Sequence, residues 1–254
     1  MNTIKDKISF TYNGKNTSEF GIINVSMDSG MFDEAFVANR TVNSETVKDV
    51  RKSLFNGVTY EDLSFELNLA FEKDFTDELI DKVIDWLYGK EYYSKLQFEG
   101  LNKFVYAMPN GESRIVHTGT GRGYIAVSMI TNSPYMYGNV LSFEKGANKD
   151  SISVTLEGKI NPEMNIDLYP LKDGTYSITV NGYTLQIKNL KANEIVTINP
   201  YEEEISSNLD NIYHYSDYVG DLSKLSFLKK VNTVSAPASQ NLKVIITYQP
   251  YYIK

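Results

Sequence analysis

The stretch LSFELNLAFEKDFTDELIDKVIDWLY, residues 63–88, predicts a β-strand followed by the helix that covers it. Its first nine residues alternate apolar with polar or small side chains without a break. Successive side chains of a strand point to opposite faces, so one face is entirely apolar. That face consists of Leu63, Phe65, Leu67, Leu69 and Phe71. Such a face requires a second layer of structure over it.

The covering layer is predicted to follow at once as a helix. Thr76 can accept the unpaired N–H groups of a helix start, and Asp77 and Glu78 suit the positive end of the helix dipole. Gly89 predicts the end of the helix, because glycine adopts the left-handed conformation at little cost. The apolar residues fall on one side of this helix, which makes Trp86 a core residue: Leu79, Ile80, Val83, Ile84, Trp86 and Leu87.

The composition indicates a globular protein rich in β structure. The 254 residues are 42% hydrophobic and 22% charged, and they include 19 Tyr and 12 Phe, which suit pleated, half-buried surfaces. The net charge of −7 disfavours stable binding to a nucleic-acid backbone. The chain has no cysteine, so disulfides and thiolate metal sites are excluded. It contains no apolar run long enough to span a membrane, and residues 1–7 do not resemble a secretory signal.

The remaining chain is predicted to form short strands in two domains, residues 1–135 and 136–254. Residues 28–60 are the ambiguous part, because the charged segment from Ser44 to Leu54 could be a helix or an exposed arm. In the second half, short strands and turns indicate a β-sandwich or jelly roll. Its clearest signal is Asn181-Gly182, which predicts a type I′ hairpin turn.

No catalytic or ligand-binding constellation is evident. Gly119, Gly121 and Gly123 lack the βαβ unit that a phosphate-binding loop needs. His117 and His214 are far apart in sequence and are interpreted as surface or interface residues, which excludes a clustered metal site. We therefore expect no enzyme activity, cofactor or metal, although glycosidase carboxylates have no fixed spacing that a sequence would reveal.

Three stretches, in this order, resemble the distal tail protein family of siphovirus-type bacteriophages. The first is residues 10–22, an aromatic strand with an Asn-Gly turn. The second is the helix of residues 77–88 with the strand Lys95-Leu96-Gln97-Phe98, leading to Ser133-Pro134-Tyr135-Met136-Tyr137. The third comprises residues 195–199, Ser226-Phe227-Leu228 and the closing residues 248–253. Together they span nearly the whole chain, and residues 28–60 depart from the family pattern.

The resemblance implies a mainly β, two-domain protein. Residues 1–135 would be an N-terminal β-sandwich with one α-helix that assembles into a ring, a hexamer in this family. Residues 136–254 would be a galectin-like or jelly-roll β-sandwich. The implied location is the tail tip of a virion, after synthesis in the bacterial cytoplasm. The implied partners are further copies of the chain, the tail tube protein, the tail-tip protein and a receptor-binding protein, with DNA crossing the lumen and no membrane contact.

The resemblance also directs attention to particular residues. We expect the strands of residues 8–27 and the arm of residues 28–60 to join subunits through Phe10, Tyr12, Phe20, Phe36, Arg40 and Arg51. A loop with Tyr213, Tyr215 and Tyr218 is expected to contact a partner. The alternative hypothesis is a carbohydrate-binding adaptor that uses the loop of residues 202–222. A galectin-type sugar site is disfavoured, because the only tryptophan, Trp86, lies in the first domain.

Overall fold

The computed structural model describes residues 8–26, 37–48, 51–119, 121–158, 160–228 and 230–253. Over these residues the chain forms two compact units, one that runs to Tyr137 and includes Ile253, and one from Gly138 to Tyr252. Strands dominate both units, and the described residues contain a single α-helix. The predicted mainly β class with one helix is therefore confirmed.

The first unit contains eleven strands, one α-helix and one short 3-10 helix in the described ranges. The strands and the helix are β1 (Phe10–Tyr12), β2 (Lys15–Asn16), β3 (Ile22–Asn24), β4 (Arg40–Glu45), β5 (Leu54–Tyr60), β6 (Ser64–Phe71), α1 (Asp77–Tyr88), β7 (Ser94–Phe98), β8 (Val105–Pro109), β9 (Arg114–His117), β10 (Gly123–Thr131) and β11 (Tyr135–Tyr137). The 3-10 helix, Thr17–Phe20, lies between β2 and β3.

An antiparallel sheet of eight strands forms the body of the first unit. Its order is β2-β1-β7-β8-β10-β6-β3, and β9 also pairs with β10. The predicted strand β6 lies between β10 and β3, with Leu67 opposite Val127. Leu63, Leu67 and Leu69 are buried. The face that the alternating pattern predicts to be apolar therefore does point into the core.

The helix α1 begins where the sequence predicts, because the Thr76 side chain accepts a hydrogen bond from the Leu79 N–H at 3.3 Å. The helix ends at Gly89 as predicted, but for a different physical reason. Gly89 has φ −67° and ψ −3°, which is right-handed and not left-handed. A Cβ atom there would instead collide with the Asp85 carbonyl oxygen, which explains the glycine. No helix in the described ranges is long and apolar enough to cross a membrane.

The ambiguous segment before β6 contains a two-stranded antiparallel hairpin. β4 pairs with β5, from Arg40 opposite Tyr60 to Glu45 opposite Leu54. Over its described residues, the segment from Ser44 to Leu54 is therefore the end of this exposed arm and not a helix. Residues 49 and 50, like residues 27–36, lie outside the described ranges.

The second unit is a β-sandwich. Its strands are β12 (Leu141–Lys145), β13 (Ser151–Thr155), β14 (Met164–Pro170), β15 (Gly174–Val180), β16 (Tyr183–Leu190), β17 (Val196–Asn199), β18 (Glu204–Ser207), β19 (Tyr218–Val219), β20 (Val231–Ser235), β21 (Leu242–Tyr248) and β22 (Tyr251–Ile253), of which only the last residue belongs to the first unit.

Two five-stranded sheets face each other across one apolar core in this unit. Their orders are β12-β21-β14-β17-β18 and β13-β20-β15-β16-β19. Ile166 and Ile246 of the first sheet and Ile178 and Leu185 of the second belong to the same buried cluster. The turn between β15 and β16 has positive φ at both Asn181 (50°) and Gly182 (92°), so the predicted hairpin is confirmed.

Candidate subunit and partner surfaces

The hairpin of β4 and β5, residues 40–60, is exposed over most of its length. Every residue of β4 is exposed, and within the described residues the two strands pair only with each other. Phe55 of β5 is 68% exposed, and Val42 and Leu54 are also largely exposed. A lone two-stranded hairpin is marginally stable in water, and clustered exposed apolar side chains mark interaction sites. The hairpin is therefore a candidate subunit interface.

A β-bulge gives this hairpin one apolar face. The partner of Asn43 is Gly57, whereas the partner of Ser44 is Phe55, so Asn56 is an extra residue. Directly opposed residues of an antiparallel pair share a face, as do residues two apart along a strand. The bulge thus places Phe55 on the face that carries Val42 and its partner Val58. We call these three residues the hairpin face.

Phe10 and Tyr12 are core residues, which corrects the expectation that their side chains join subunits. Both are buried and contact Trp86, with ring centroids 6.0 Å away in each case. The Trp86 Nε1–H also donates a hydrogen bond to the Tyr12 carbonyl oxygen at 2.7 Å. Phe20, which is partly buried, stacks on the same indole at 4.6 Å. The two aromatic residues were expected to contact a neighbouring subunit, but the layer that covers them is the chain's own helix.

Arg40 and Arg51 lie where a neighbouring molecule can reach them. Arg40 begins β4, Arg51 precedes β5, and both are exposed. They stay in the proposed interface. Phe36 lies outside the described residues.

An apolar groove runs between α1 and β9 in the first unit. Its volume is about 350 Å³, and its walls include Ile80 and Ile84 of the helix and Ile115 of β9. The hydroxyl groups of Tyr88 and Ser113 are hydrogen-bonded at its edge. Ile84 is 47% exposed although it lies on the apolar side of the helix, so part of that side is left uncovered. We call this feature the helix groove. The helical periodicity predicted the apolar wall that α1 contributes to this groove. Nothing in the sequence predicted that β9 lies beside α1.

The three tyrosines that were expected to contact a partner, Tyr213, Tyr215 and Tyr218, are not all exposed. Tyr213 (71% exposed) and Tyr215 are available to a partner, whereas Tyr218 belongs to β19 and packs against the core. His214, between the two exposed tyrosines, is buried. The interpretation of His214 as a surface or interface residue was wrong, because it anchors the loop from inside.

Glu194 holds His214 in place. Its Oε1 atom lies 2.7 Å from His214 Nε2 and accepts a hydrogen bond from the Ser207 hydroxyl at 2.6 Å, while Oε2 accepts one from the Lys191 N–H at 2.8 Å. The other ring nitrogen of His214 lies 3.2 Å from Asp217 Oδ2. Burial alone would raise the pKa of Glu194, but these hydrogen bonds outweigh it and hold the pKa below 4.5. The buried carboxylate is therefore a structural anchor for the loop.

A cleft of about 390 Å³ lies elsewhere in the second unit. It is lined by the exposed ring of Tyr201, by polar Asn161, Ser223 and Ser226, and by apolar residues such as Phe227. This size and mixture of side chains are typical of small-ligand sites. The sequence analysis did not identify it, because its walls come from three separate segments of the chain.

The described residues contain no group of three or more His, Cys, Asp or Glu side chains that could hold a metal ion. The two arginines near the glycine-rich loop have acidic partners. Arg122 Nε lies 2.9 Å from Asp74, and Arg114 lies 3.7 Å from Glu112.

The chain is similar to known phage proteins. A family model described as "Phage tail protein N-terminal domain" matches residues 5–133. The SPbeta prophage-derived uncharacterized protein YomH of Bacillus subtilis (strain 168) is 24% identical over 226 residues, which are 86% of this chain and 88% of that protein.

Two solved structures are also similar to the chain. The Dit protein (gp 19.1) of SPP1, described as a paradigm of the hub adsorption apparatus in Gram-positive infecting phages, aligns with a TM-score of 0.66 at 11% identity, over 95% of this chain and 98% of that one. A chain of the phage P2 baseplate in its activated conformation aligns with a TM-score of 0.45 at 8% identity, over 95% and 97%. The likeness to SPP1 Dit shows that the two proteins share a fold.

Proposed function

Because this chain belongs to the phage tail protein family, we propose that it is the distal tail protein of a virion, a structural hub that joins the tail tube to the tail tip. The first unit, residues 1–135 in the sequence-based division, is the ring-forming part, and residues 136–254 bind the proteins around the ring. The fold shared with SPP1 Dit, a hub protein, supports this assignment.

The observation that carries the proposal is the exposed hairpin of residues 40–60. Val42, Leu54 and Phe55 of this hairpin are largely exposed, which suits a protein in which further copies of the chain cover these side chains. Identical subunits that use two different surfaces close into a ring when the rotation between neighbours allows it. We propose a ring of six copies. Its contacts include Arg40 and Arg51, whose charges suit the protein's acidic surface.

The charge of the chain is consistent with DNA transit. At −7 per chain, a ring of copies carries a large negative charge. A phosphate backbone that crosses such a ring is repelled and not retained, because stable nucleic-acid binding requires basic side chains to neutralise phosphates. The proposed partners are the tail tube protein, the tail-tip protein and a receptor-binding protein. The last of these is the proposed partner of Tyr213 and Tyr215.

The purified chain is expected to form ring-shaped particles of six copies by light scattering and electron microscopy. Replacing Phe55 with glutamate places a charge on the hairpin face and should reduce the assembled fraction by about tenfold or more, since buried unpaired charges at interfaces are costly. The matched control is Tyr92→Glu, which changes another highly exposed aromatic side chain of the same unit. A chain that stays monomeric at all concentrations would contradict the proposal.

A carbohydrate-binding role for the second unit has one observation in its favour, the cleft beside Tyr201. Exposed aromatic rings stack on sugars, and nearby amide and hydroxyl groups can bind sugar hydroxyls. The full chain is then expected to be retained on Bacillus subtilis cell-wall polysaccharide, and Tyr201→Ala should abolish retention while Tyr215→Ala leaves it unchanged. Equal retention of the two variants, or none by the parent chain, would remove this role.

A further inference from the structure

The helix groove is an apolar surface whose side chains stay partly exposed among the described residues of the first unit. Its residues Ile84, Tyr88 and Ile115 are 47%, 44% and 43% exposed. An amphipathic helix normally buries its apolar side completely, and α1 buries only the part that carries Val83, Trp86 and Leu87. The groove is therefore suited to bind an apolar surface of another molecule.

The helix beside the groove carries mostly acidic side chains. Residues 77–88 contain four acidic side chains, Asp77, Glu78, Asp81 and Asp85, and one basic side chain, Lys82. Lys82 is paired with Glu78 at 2.7 Å, and Arg114, which lines the groove, is paired with Glu112 at 3.7 Å. The unpaired charges of the helix beside the groove are therefore those of Asp77, Asp81 and Asp85. An occupant of the groove should therefore be apolar at its centre and basic at its edges.

The hairpin of the same chain has these properties. The hairpin face presents Val42, Phe55 and Val58, and the exposed ring of Phe55 is the kind of aromatic anchor that fills an apolar groove. Residues 40–60 contain four basic side chains, Arg40, Lys48, Arg51 and Lys52, against two acidic ones. The two surfaces are thus complementary in hydrophobicity and in charge, and both are exposed in the single chain.

We propose that the hairpin face of one copy inserts into the helix groove of a neighbouring copy of this chain, with the basic side chains of the hairpin beside the acidic side chains of α1. The two surfaces differ from each other, so the contact is head-to-tail and leaves a free hairpin and a free groove at the ends until a ring closes. The inference rests on the proposed hub function, because it identifies the surface that receives the hairpin.

Cysteine cross-linking tests this contact directly, because the natural chain has no cysteine. Two single-cysteine variants, Phe55→Cys and Ile84→Cys, are distinguished by a tag, mixed in equal amounts and oxidised mildly. We expect the mixed disulfide to exceed either homodimer by about fivefold or more, since only the mixed pair is adjacent in a head-to-tail contact. The matched control pairs Phe55→Cys with Leu171→Cys, an equally exposed position of the second unit.

Charge reversal provides an independent test. The pair of substitutions Asp81→Lys and Asp85→Lys, or the pair Arg51→Glu and Lys52→Glu, should each weaken self-association by about tenfold, and combining both pairs in one chain should restore most of it. Lys188→Glu, an exposed change in the second unit, should have no effect.

The outcomes separate the inference from the proposed function. Rings that form without the mixed disulfide, or charge reversals that do not compensate each other, overturn the hairpin-to-groove contact and leave the hub intact. A chain that forms neither rings nor the mixed disulfide contradicts both.

Discussion

Replacing Trp86 with alanine is expected to lower the free energy of unfolding of the first unit by about 3–5 kcal/mol, as large-to-small changes at buried aromatic positions do. The indole is 2% exposed and stacks on Phe20 at 4.6 Å. Its N–H donates to the Tyr12 carbonyl oxygen, which would lose that donor in the variant. The side chain thus connects α1 to both β1 and the segment before β3.

Urea denaturation followed by circular dichroism measures this effect, since the variant has no tryptophan to report by fluorescence. Ile84→Ala is the matched control on the same helix, and we expect it to cost less than about 1 kcal/mol because Ile84 is half exposed. The interpretation of Trp86 as the central core residue fails if the two variants lose the same stability.

Replacing His214 with alanine is the second change with a large expected effect, about 3–5 kcal/mol in the second unit. The substitution leaves the Glu194 carboxylate buried without the ring nitrogen that lies 2.7 Å from it. Removing one partner of a buried pair costs more than the pair itself contributes, because the remaining group stays out of water. Tyr213→Ala, at the adjacent and exposed position, should change stability by less than about 0.5 kcal/mol.

Hydrogen exchange of peptides from residues 183–219 measures the loss of stability in this region.

A pH series on the variant Glu194→Gln adds a second measurement. The pKa of Glu194 lies below 4.5 in the folded chain, so its ionised form contributes stability above this pH, and that contribution is lost as the pH falls below 4.5. The stability difference between the parent chain and Glu194→Gln should therefore narrow below about pH 4.5. A difference that stays constant from neutral pH to pH 3 would exclude Glu194 as the anchoring charge.

The parts of the fold that the sequence predicted are those with local causes. The alternation in β6, the cap at Thr76 and the Asn181-Gly182 turn each depend on residues that are neighbours in sequence. The hairpin of residues 40–60 lacked such a signal, because a strand exposed on both faces need not alternate. For the same reason the choice between a helix and an arm required the structure.

The surfaces were less predictable than the core, because they depend on which elements meet. Alternation marked Phe10 and Tyr12 as apolar strand residues, but it could not show that α1 covers them. The buried position of His214 depends on Glu194, twenty residues earlier in the chain. The helix groove likewise requires β9 beside α1, a proximity that no periodicity encodes.

The alternation of Tyr213, His214 and Tyr215 has a consequence for divergence between related phages. The buried side chain of His214 holds the loop in place, whereas the exposed rings of Tyr213 and Tyr215 are not part of the core. Substitutions at these outer positions can accumulate under selection for new binding partners without eroding the scaffold. Sequence differences between related chains should therefore be concentrated at such positions, whereas Glu194 and His214, which anchor the loop, should change together or not at all.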